Sequence, residues 1–224
     1  MTTTAVSVSP SGSYPTCASA PLVFIVDDDI SVRESLEGLI STEGWQPVIF
    51  SSGKEFLAYP RVDAPSCLVL DLTLPDISGL DLQRRMTAGS FNMPIIFITG
   101  YGDIPTTVQA MKAGAVEFLT KPFSDEALLC AISHALASSR AASLLEQEFK
   151  ALEEDYQSLT PRERDVMKLV VLGHLNKRVG FELGISEITV KAHRGQVMRK
   201  MKARSFAELV NMAGRLRLEQ ASDG

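Results

Sequence analysis

Cysteine is scarce in this chain. Its 224 residues include three, Cys17, Cys67 and Cys130, odd in number and far apart. That argues against a disulfide framework, and no Cys/His cluster has the spacing of zinc ligands. A reducing compartment, the cytoplasm, fits such usage. Nor does the start read as a secretory leader. The opening MTTTAVSVSPSGSYPTCASA is Ser, Thr, Ala and Pro, with no basic start and no continuous apolar stretch. Residues 1–20 read as a disordered tail. No apolar run approaches the roughly 18–20 residues of a membrane span, so no membrane partner is expected.

What the chain does have is enough apolar material for a core, 45 % of its residues, which excludes a disordered protein. Net charge is −5, and the mean hides a division. Residues 1–158 hold 9 Lys and Arg against 20 Asp and Glu, whereas 159–217 hold 13 against 5. An acidic body and a basic module call for different partners, the second a polyanion.

In the acidic part, apolar runs at 22–26, 47–50, 67–70, 94–98 and 116–119 alternate with amphipathic stretches. Near-continuous Val, Ile, Leu and Phe mark parallel strands buried on both faces. Val32, Leu36, Leu39 and Ile40 share one helical face, and Ser31 has capping-box spacing to Glu34. Ser78 and Ser124 are further candidate helix starts. The pattern predicts a doubly wound α/β domain with a five-stranded parallel sheet, and its sites belong at the carboxyl ends of the strands.

Polar residues stand at those ends. Asp27, Asp28 and Asp29 follow the first run, Asp71 the third, Thr99 the fourth, and Thr120 and Lys121 the fifth. Asp29 is either a surface residue or a helix cap. If the sheet is right, Asp27, Asp28, Asp71, Thr99 and Lys121 meet on one rim. Gathered carboxylates repel and raise one another's pKa unless compensated. Lys121 supplies one positive charge, and Mg²⁺, which takes few carboxylates and several waters, would supply two more.

The ordered set VDDD, LVLDLTLPDISG, FITGYGD and EFLTKPF, spread over residues 21–138, resembles the receiver domain of two-component response regulators. The resemblance implies a flavodoxin-like fold with Asp71 as phosphoacceptor. Asp28 would be a direct Mg²⁺ ligand, Asp27 would act mostly through water, and the Thr73 carbonyl would complete the protein ligands. Thr99 and Lys121 would contact the phosphoryl group. Thr99 and Phe118 would form the switch, and the Lys121–Pro122 bond would be cis. Thr73 and Tyr101 flank the site. Phosphoryl transfer is mainly positioning and charge neutralisation, which suits these residue types.

The basic part, 159–217, opens on Thr160, Pro161 and Glu163, an N-cap with proline in the first turn and a capping box. Val166, Leu169 and Val170 form the inner face. A short helix at 176–183, a turn at Gly184 and a longer helix at 187–202 follow, with Ser186 as cap and Val190, Val197, Met198 and Met201 facing in. A last helix, 206–216, closes a small all-α bundle. Helix, short helix, glycine turn and basic helix make a helix-turn-helix. LTPRERDVM, NKRVGFELGIS, TVKAHR and VMRKMKARS resemble the LuxR-type DNA-binding domain, and the whole chain is similar to FixJ/NarL-type regulators. By that resemblance the 187–202 helix enters the major groove. Thr189, Val190, Lys191, His193 and Arg194 would lie near bases or adjacent phosphates, with Lys177, Arg199 and Lys200 on the backbone. Gly180 stands where the family usually has Ala, at about 1 kcal/mol of helix stability, which would leave the scaffold slightly loose.

Between the two lies a helical linker, 139–158. Leu145, Phe149, Leu152, Tyr156 and Leu159 step by 4, 3, 4 and 3, a seam of two heptads. It either pairs with a partner chain or packs within its own chain. Residues 218–224 form a tail. The resemblance implies a transcription regulator rather than an enzyme. A sensor histidine kinase would phosphorylate Asp71, the face at 104–121 would dimerise, and the dimer would bind double-stranded promoter DNA. RNA polymerase is a further candidate partner. The alternatives are a degenerate receiver acting as a dimeric DNA-binding scaffold, and an aspartyl-phosphate hydrolase. Against the hydrolase, position 73 carries Thr where such enzymes place a second Asp.

Overall fold

The computed structural model describes residues 20–60, 62, 64–89, 93–100 and 104–218. Most of the two tails, Cys17 and Tyr101 lie outside the described residues. The chain divides into two compact units, Met1–Ser143 and Leu144–Gly224.

The first unit contains β1 (Leu22–Val26), α1 (Ile30–Thr42), β2 (Gln46–Phe50), α2 (Gly53–Ala58), β3 (Ser66–Asp71), α3 (Gly79–Ala88), β4 (Ile95–Thr99), α4 (Ile104–Lys112), β5 (Glu117–Thr120) and the start of α5 (Asp125–Gln157). The five strands are parallel, in the order β2-β1-β3-β4-β5. The continuous apolar runs divide by alternation. Phe24, Val26, Leu68, Leu70 and Phe97 face one core with α2 and α3 residues. Val23, Ile25, Cys67, Val69, Ile96 and Ile98 face the other, with Leu36 and Ile40 of α1 and Leu128 and Ile132 of α5. Burial pushes the Cys67 thiol up to about 12, which keeps it unreactive.

Local signals explain most element starts, with two corrections. Helix α1 begins one residue before Ser31. Asp29 is its N-cap and accepts from the Ser31 amide at 2.8 Å, so the Ser31 capping box does not form. Asp29 is thereby the cap of its two readings. The second correction concerns α5, which is long and apolar enough to cross a membrane by length and composition. Alanines carry much of that apolar average. Leu128, Ala131, Ile132, Ala135 and Leu136 lie buried in the sheet's second core.

The second unit contains the last turns of α5, then α6 (Pro161–Val171), α7 (Asn176–Leu183), α8 (Glu187–Lys200) and α9 (Phe206–Arg215). The Thr160 capping box forms in full: the Thr160 amide donates to Glu163 Oε2 at 2.7 Å and the Glu163 amide to Thr160 Oγ1 at 3.3 Å. Gly184 caps α7 in the left-handed region, φ 65°, where glycine carries no Cβ penalty. Gly180 tightens the scaffold rather than loosening it. A Cβ there would stand 2.7 Å from the Ile185 carbonyl oxygen, so its absence lets α7 and the turn before α8 close on one another. The linker seam divides by burial. Leu152 and Leu159 are buried with Val166, Val190 and Val197, and Tyr156 packs against them. Leu145 is 62 % exposed.

Candidate functional site

The sheet register builds the first site. Val26 pairs with Leu70 across β1 and β3, so the next residues, Asp27 and Asp71, leave the sheet side by side. Asp71 pairs with Ile98, and Thr99 with Thr120, so Thr99 and Lys121 follow one step on. This is the carboxyl edge at the point where strand order reverses, the expected place for a ligand in an open α/β sheet.

Lys121 organises the acids. Its Nζ donates to Asp27 Oδ2 and to Asp71 Oδ2, both at 2.7 Å. The other oxygens are held by backbone. The Asp29 amide donates to Asp27 Oδ1 and the Thr73 amide to Asp71 Oδ1, both at 2.9 Å. Asp27 and Thr99 are fully buried and Asp71 nearly so, while Asp28 is exposed. Carboxylate oxygens of Asp27, Asp28 and Asp71 lie within 4.8 Å of one another. Burial pushes the Asp27 carboxyl up, against the hydrogen bonds from Lys121 and the Asp29 amide. Burial works against the Lys121 charge as well, but Asp27 and Asp71 outweigh it and its pKa is raised. One ammonium thus faces three carboxylates. The donor set is hard, all oxygen, with one member open to solvent, and it fits a divalent cation such as Mg²⁺.

The remaining predicted residues are also placed. The Lys121 amide donates to the Thr99 carbonyl at 2.7 Å, and the Lys121–Pro122 bond is cis. Phe118 is half-buried, its ring centroid 6.3 Å from that of Phe97. Thr73 is exposed next to the cleft. Sequence reasoning missed two supporting groups. Arg33 Nη1 donates to the Asp27 carbonyl at 2.6 Å, one turn into α1. Asp76 accepts from the amides of Gly53 and Lys54 at 3.2 and 2.9 Å. It ties the loop after Asp71 to the start of α2, and those amides hold its carboxyl below the ordinary range despite burial.

The second site is the basic face of α7 and α8, and here the expected residues separate. Lys177, Lys191 and Arg199 are exposed. Lys191 pairs with Glu187 at 3.1 Å. Thr189 and His193 are half-buried, and the Thr189 amide donates to the capping Ser186 hydroxyl. Three expectations need correction. Val190 is fully buried and faces the bundle core, not a groove. Lys200 turns inward, with Nζ 2.6 Å from Glu163 Oε2 and 3.2 Å from the Ser158 carbonyl. Arg194 donates to Asn176 at 3.2 Å and lies 4.6 Å over the Phe206 ring, so it fastens α7, α8 and α9 together. What sequence reasoning missed on α8 is its exposed apolar residues, Ile188, Ala192 and Gly195. They are recoverable as the positions opposite Val190 and Val197 on the helix.

Residues 23–133 match the response regulator receiver domain, and residues 157–213 match the luxR family of bacterial regulatory proteins. Nodulation protein W of Bradyrhizobium diazoefficiens is 48 % identical over 202 residues, 90 % of this chain and 89 % of its own. The transcriptional regulatory protein FixJ of Rhizobium meliloti is 42 % identical over 191 residues, 85 % of this chain and 94 % of its own. The solved structure of the response regulator StyR is 45 % identical with a TM-score of 0.79, covering 88 % of this chain and all of that one. The likeness therefore runs through both units and the helix between them, and the chain belongs to the FixJ-type response regulators, transcriptional regulators that join a receiver domain to a LuxR-type DNA-binding domain.

Proposed function

We propose that the protein is a cytoplasmic transcription regulator whose DNA binding is controlled by phosphorylation of Asp71. The observation that carries this reading is Lys121 bridging Asp27 and Asp71 at 2.7 Å, with Asp28 beside them. The donor is a sensor histidine kinase. A carboxylate oxygen of Asp71 attacks phosphorus in line, the phosphorus–nitrogen bond of the phosphohistidine breaks, and the imidazole leaves with its electron pair. Lys121 then follows the new negative charge on the phosphoryl oxygens. Asp27, Asp28, Asp71 and the Thr73 carbonyl would hold Mg²⁺, which supplies positive charge against the carboxylates and the phosphoryl oxygens.

The product adds about 1.5 to 2 negative charges. Thr99 turns toward them, and half-buried Phe118 moves into the space vacated. That pair biases a two-state element. The face that responds is α4 and β5, where Ile104, Val108 and Met111 leave 80, 45 and 43 % of their surfaces exposed. These three step by four and three along α4, one apolar side on which a second copy can pair. Two DNA-binding units then meet two half-sites about one helical turn apart. Joining them makes the second contact effectively intramolecular. Bound at a promoter, the dimer is in reach of RNA polymerase.

Two other readings are weaker. A degenerate receiver would not need Asp27, Asp28, Asp71, Thr99 and Lys121 intact. A hydrolase would need an acid where Thr73 stands. Incubation of the full chain with a small phosphodonor and Mg²⁺ tests all three. Stable acid-labile phosphate on the wild type, absent from Asp71→Asn, is the expected result. No phosphate on either would leave the scaffold reading. Continuous turnover of the donor would favour the hydrolase.

A further inference from the structure

The crest of α8 is apolar over its first two turns and carries a cation only near its end. Val190, Val197 and Met201 are buried and fix the inner side of the helix. At about 100° per residue, the direction opposite them carries Ile188, Ala192, Gly195 and Arg199. Ile188 is 80 % exposed, and Ala192 and Gly195 are exposed too. Charge sits on the flank and at the far end, at Lys191 and Arg199.

Gly195 is the second observation. A glycine inside a helix is less stable there than alanine. At Gly180 the fold uses it, since a Cβ would meet the Ile185 carbonyl at 2.7 Å; at Gly195 a Cβ would meet nothing within 4 Å. Packing among the described residues calls for no bare backbone there, as it calls for none at Gly38 or Gly214. Gly195 differs in lying beside Ile188 and Ala192 on the side of α8 opposite its buried stripe, where a missing side chain lets a ligand come close to the helix. The surrounding segment, with 13 Lys and Arg against 5 Asp and Glu, selects a polyanion. One that also offers apolar contact to an exposed isoleucine is duplex DNA, whose major groove presents the thymine C5-methyl group.

We propose that Ile188 and Ala192 are specificity-determining residues that read thymine methyl groups, and that Gly195 lets the α8 backbone settle against the groove floor. The proposal rests on the DNA-binding reading above and adds the class of base recognised. It also moves the reading positions from the charged flank to the apolar part of the crest.

The test begins with duplexes selected from a random pool by the full-length, phosphodonor-treated chain. In each selected duplex, every thymine is replaced singly by deoxyuridine, which removes only the methyl group. About fourfold weaker binding is expected at one or two thymines per half-site, the worth of one buried methyl. Ile188→Ala should bind thymine and uracil equally at its position while melting like the wild type. Gly195→Ala should melt at a higher temperature and bind every duplex about tenfold more weakly. Indifference to uracil at every thymine overturns the proposal while leaving DNA binding intact. So does an Ile188→Ala chain that keeps the full thymine preference, or one that changes only self-association in sedimentation. Wild-type affinity in Gly195→Ala overturns the close approach. Enrichment of no duplex at all overturns the proposal together with the reading beneath it.

Discussion

Lys200 Nζ lies 2.6 Å from Glu163 Oε2, and Glu163 is only 5 % exposed. The pair ties the end of α8 to the capping box that starts α6. A cation that looks like a phosphate ligand in the sequence thus serves the fold of its own unit. Burial alone would raise the Glu163 carboxyl. Lys200 and the Thr160 amide outweigh it and hold the group below its ordinary value of 4.5. A depressed acid contributes stability that is complete above 4.5 and drains away as pH falls through the lowered value. Glu163→Gln should therefore cost about 2 kcal/mol at neutral pH and flatten the acid side of the stability profile. Thermal unfolding of the full chain from neutral pH down to pH 3 reads both effects.

The same pair yields a binding prediction. Replacing an exposed phosphate contact reduces the salt dependence of DNA affinity by about one charge. Lys177→Gln and Arg199→Gln should each show that reduced slope. Lys200→Gln should keep the wild-type slope and lose affinity only as far as it loses folded protein. Titrations of a selected duplex across a range of salt concentrations separate the two classes.

In the receiver, three carboxylates share one ammonium, so a divalent cation that binds the folded state only must stabilise it. Saturating Mg²⁺ should raise the melting temperature of the wild type by about 2–4 °C. Asp28→Asn should lose that rise. Its cation-free melting temperature should match or exceed the wild type, because an exposed member of a repelling cluster has become neutral. Calorimetry with and without Mg²⁺ checks this, and an equal rise in Asp28→Asn would remove that residue from the ligand set.

Gly79 is where the loop after Asp71 meets α3. A Cβ there would fall 2.7 Å from the Asp71 carbonyl oxygen and 3.1 Å from the Phe97 ring. The Phe97 ring lies next to Phe118. Overpacking at such a point costs about 1–3 kcal/mol. Gly79→Ala should lower the urea midpoint without changing the slope. It should also slow phosphate uptake, because the Asp71–Thr73 segment must shift to make room.

These residues indicate how much was readable in advance. The sheet, the acidic cleft and Lys121 followed from apolar runs that end on charge, because a parallel strand buried on both faces leaves little freedom in composition or in where it stops. The capping box at Thr160 was equally plain, being local. What failed was choosing among cations on one helix. Lys191, Arg194, Arg199 and Lys200 look alike in a string, but Arg194 and Lys200 are taken by Asn176, Phe206 and Glu163, partners 18, 12 and 37 positions away. Charge marks a helix face for the eye, whereas a face is fixed by its buried side. Val190 shows the same error in reverse: it belongs to the inner stripe and yet reads in the sequence as a groove contact.

The linker separates two jobs that a single heptad seam made indistinguishable. Leu152 is 6 % exposed and sits in the core of the second unit, whereas Leu145, one heptad earlier, is 62 % exposed. Truncating a buried leucine costs about 2–4 kcal/mol, and an exposed one about 0.5 or less. Leu152→Ala should therefore destabilise the DNA-binding unit and leave the receiver transition in place. Leu145→Ala should melt as the wild type does. If the upper part of the seam pairs with a second copy, the charged replacement Leu145→Asp should weaken phosphorylation-dependent self-association in sedimentation while leaving the monomer's unfolding unchanged. An unaffected dimer would confine the seam to packing within its own chain and leave α4 and β5 to carry the association.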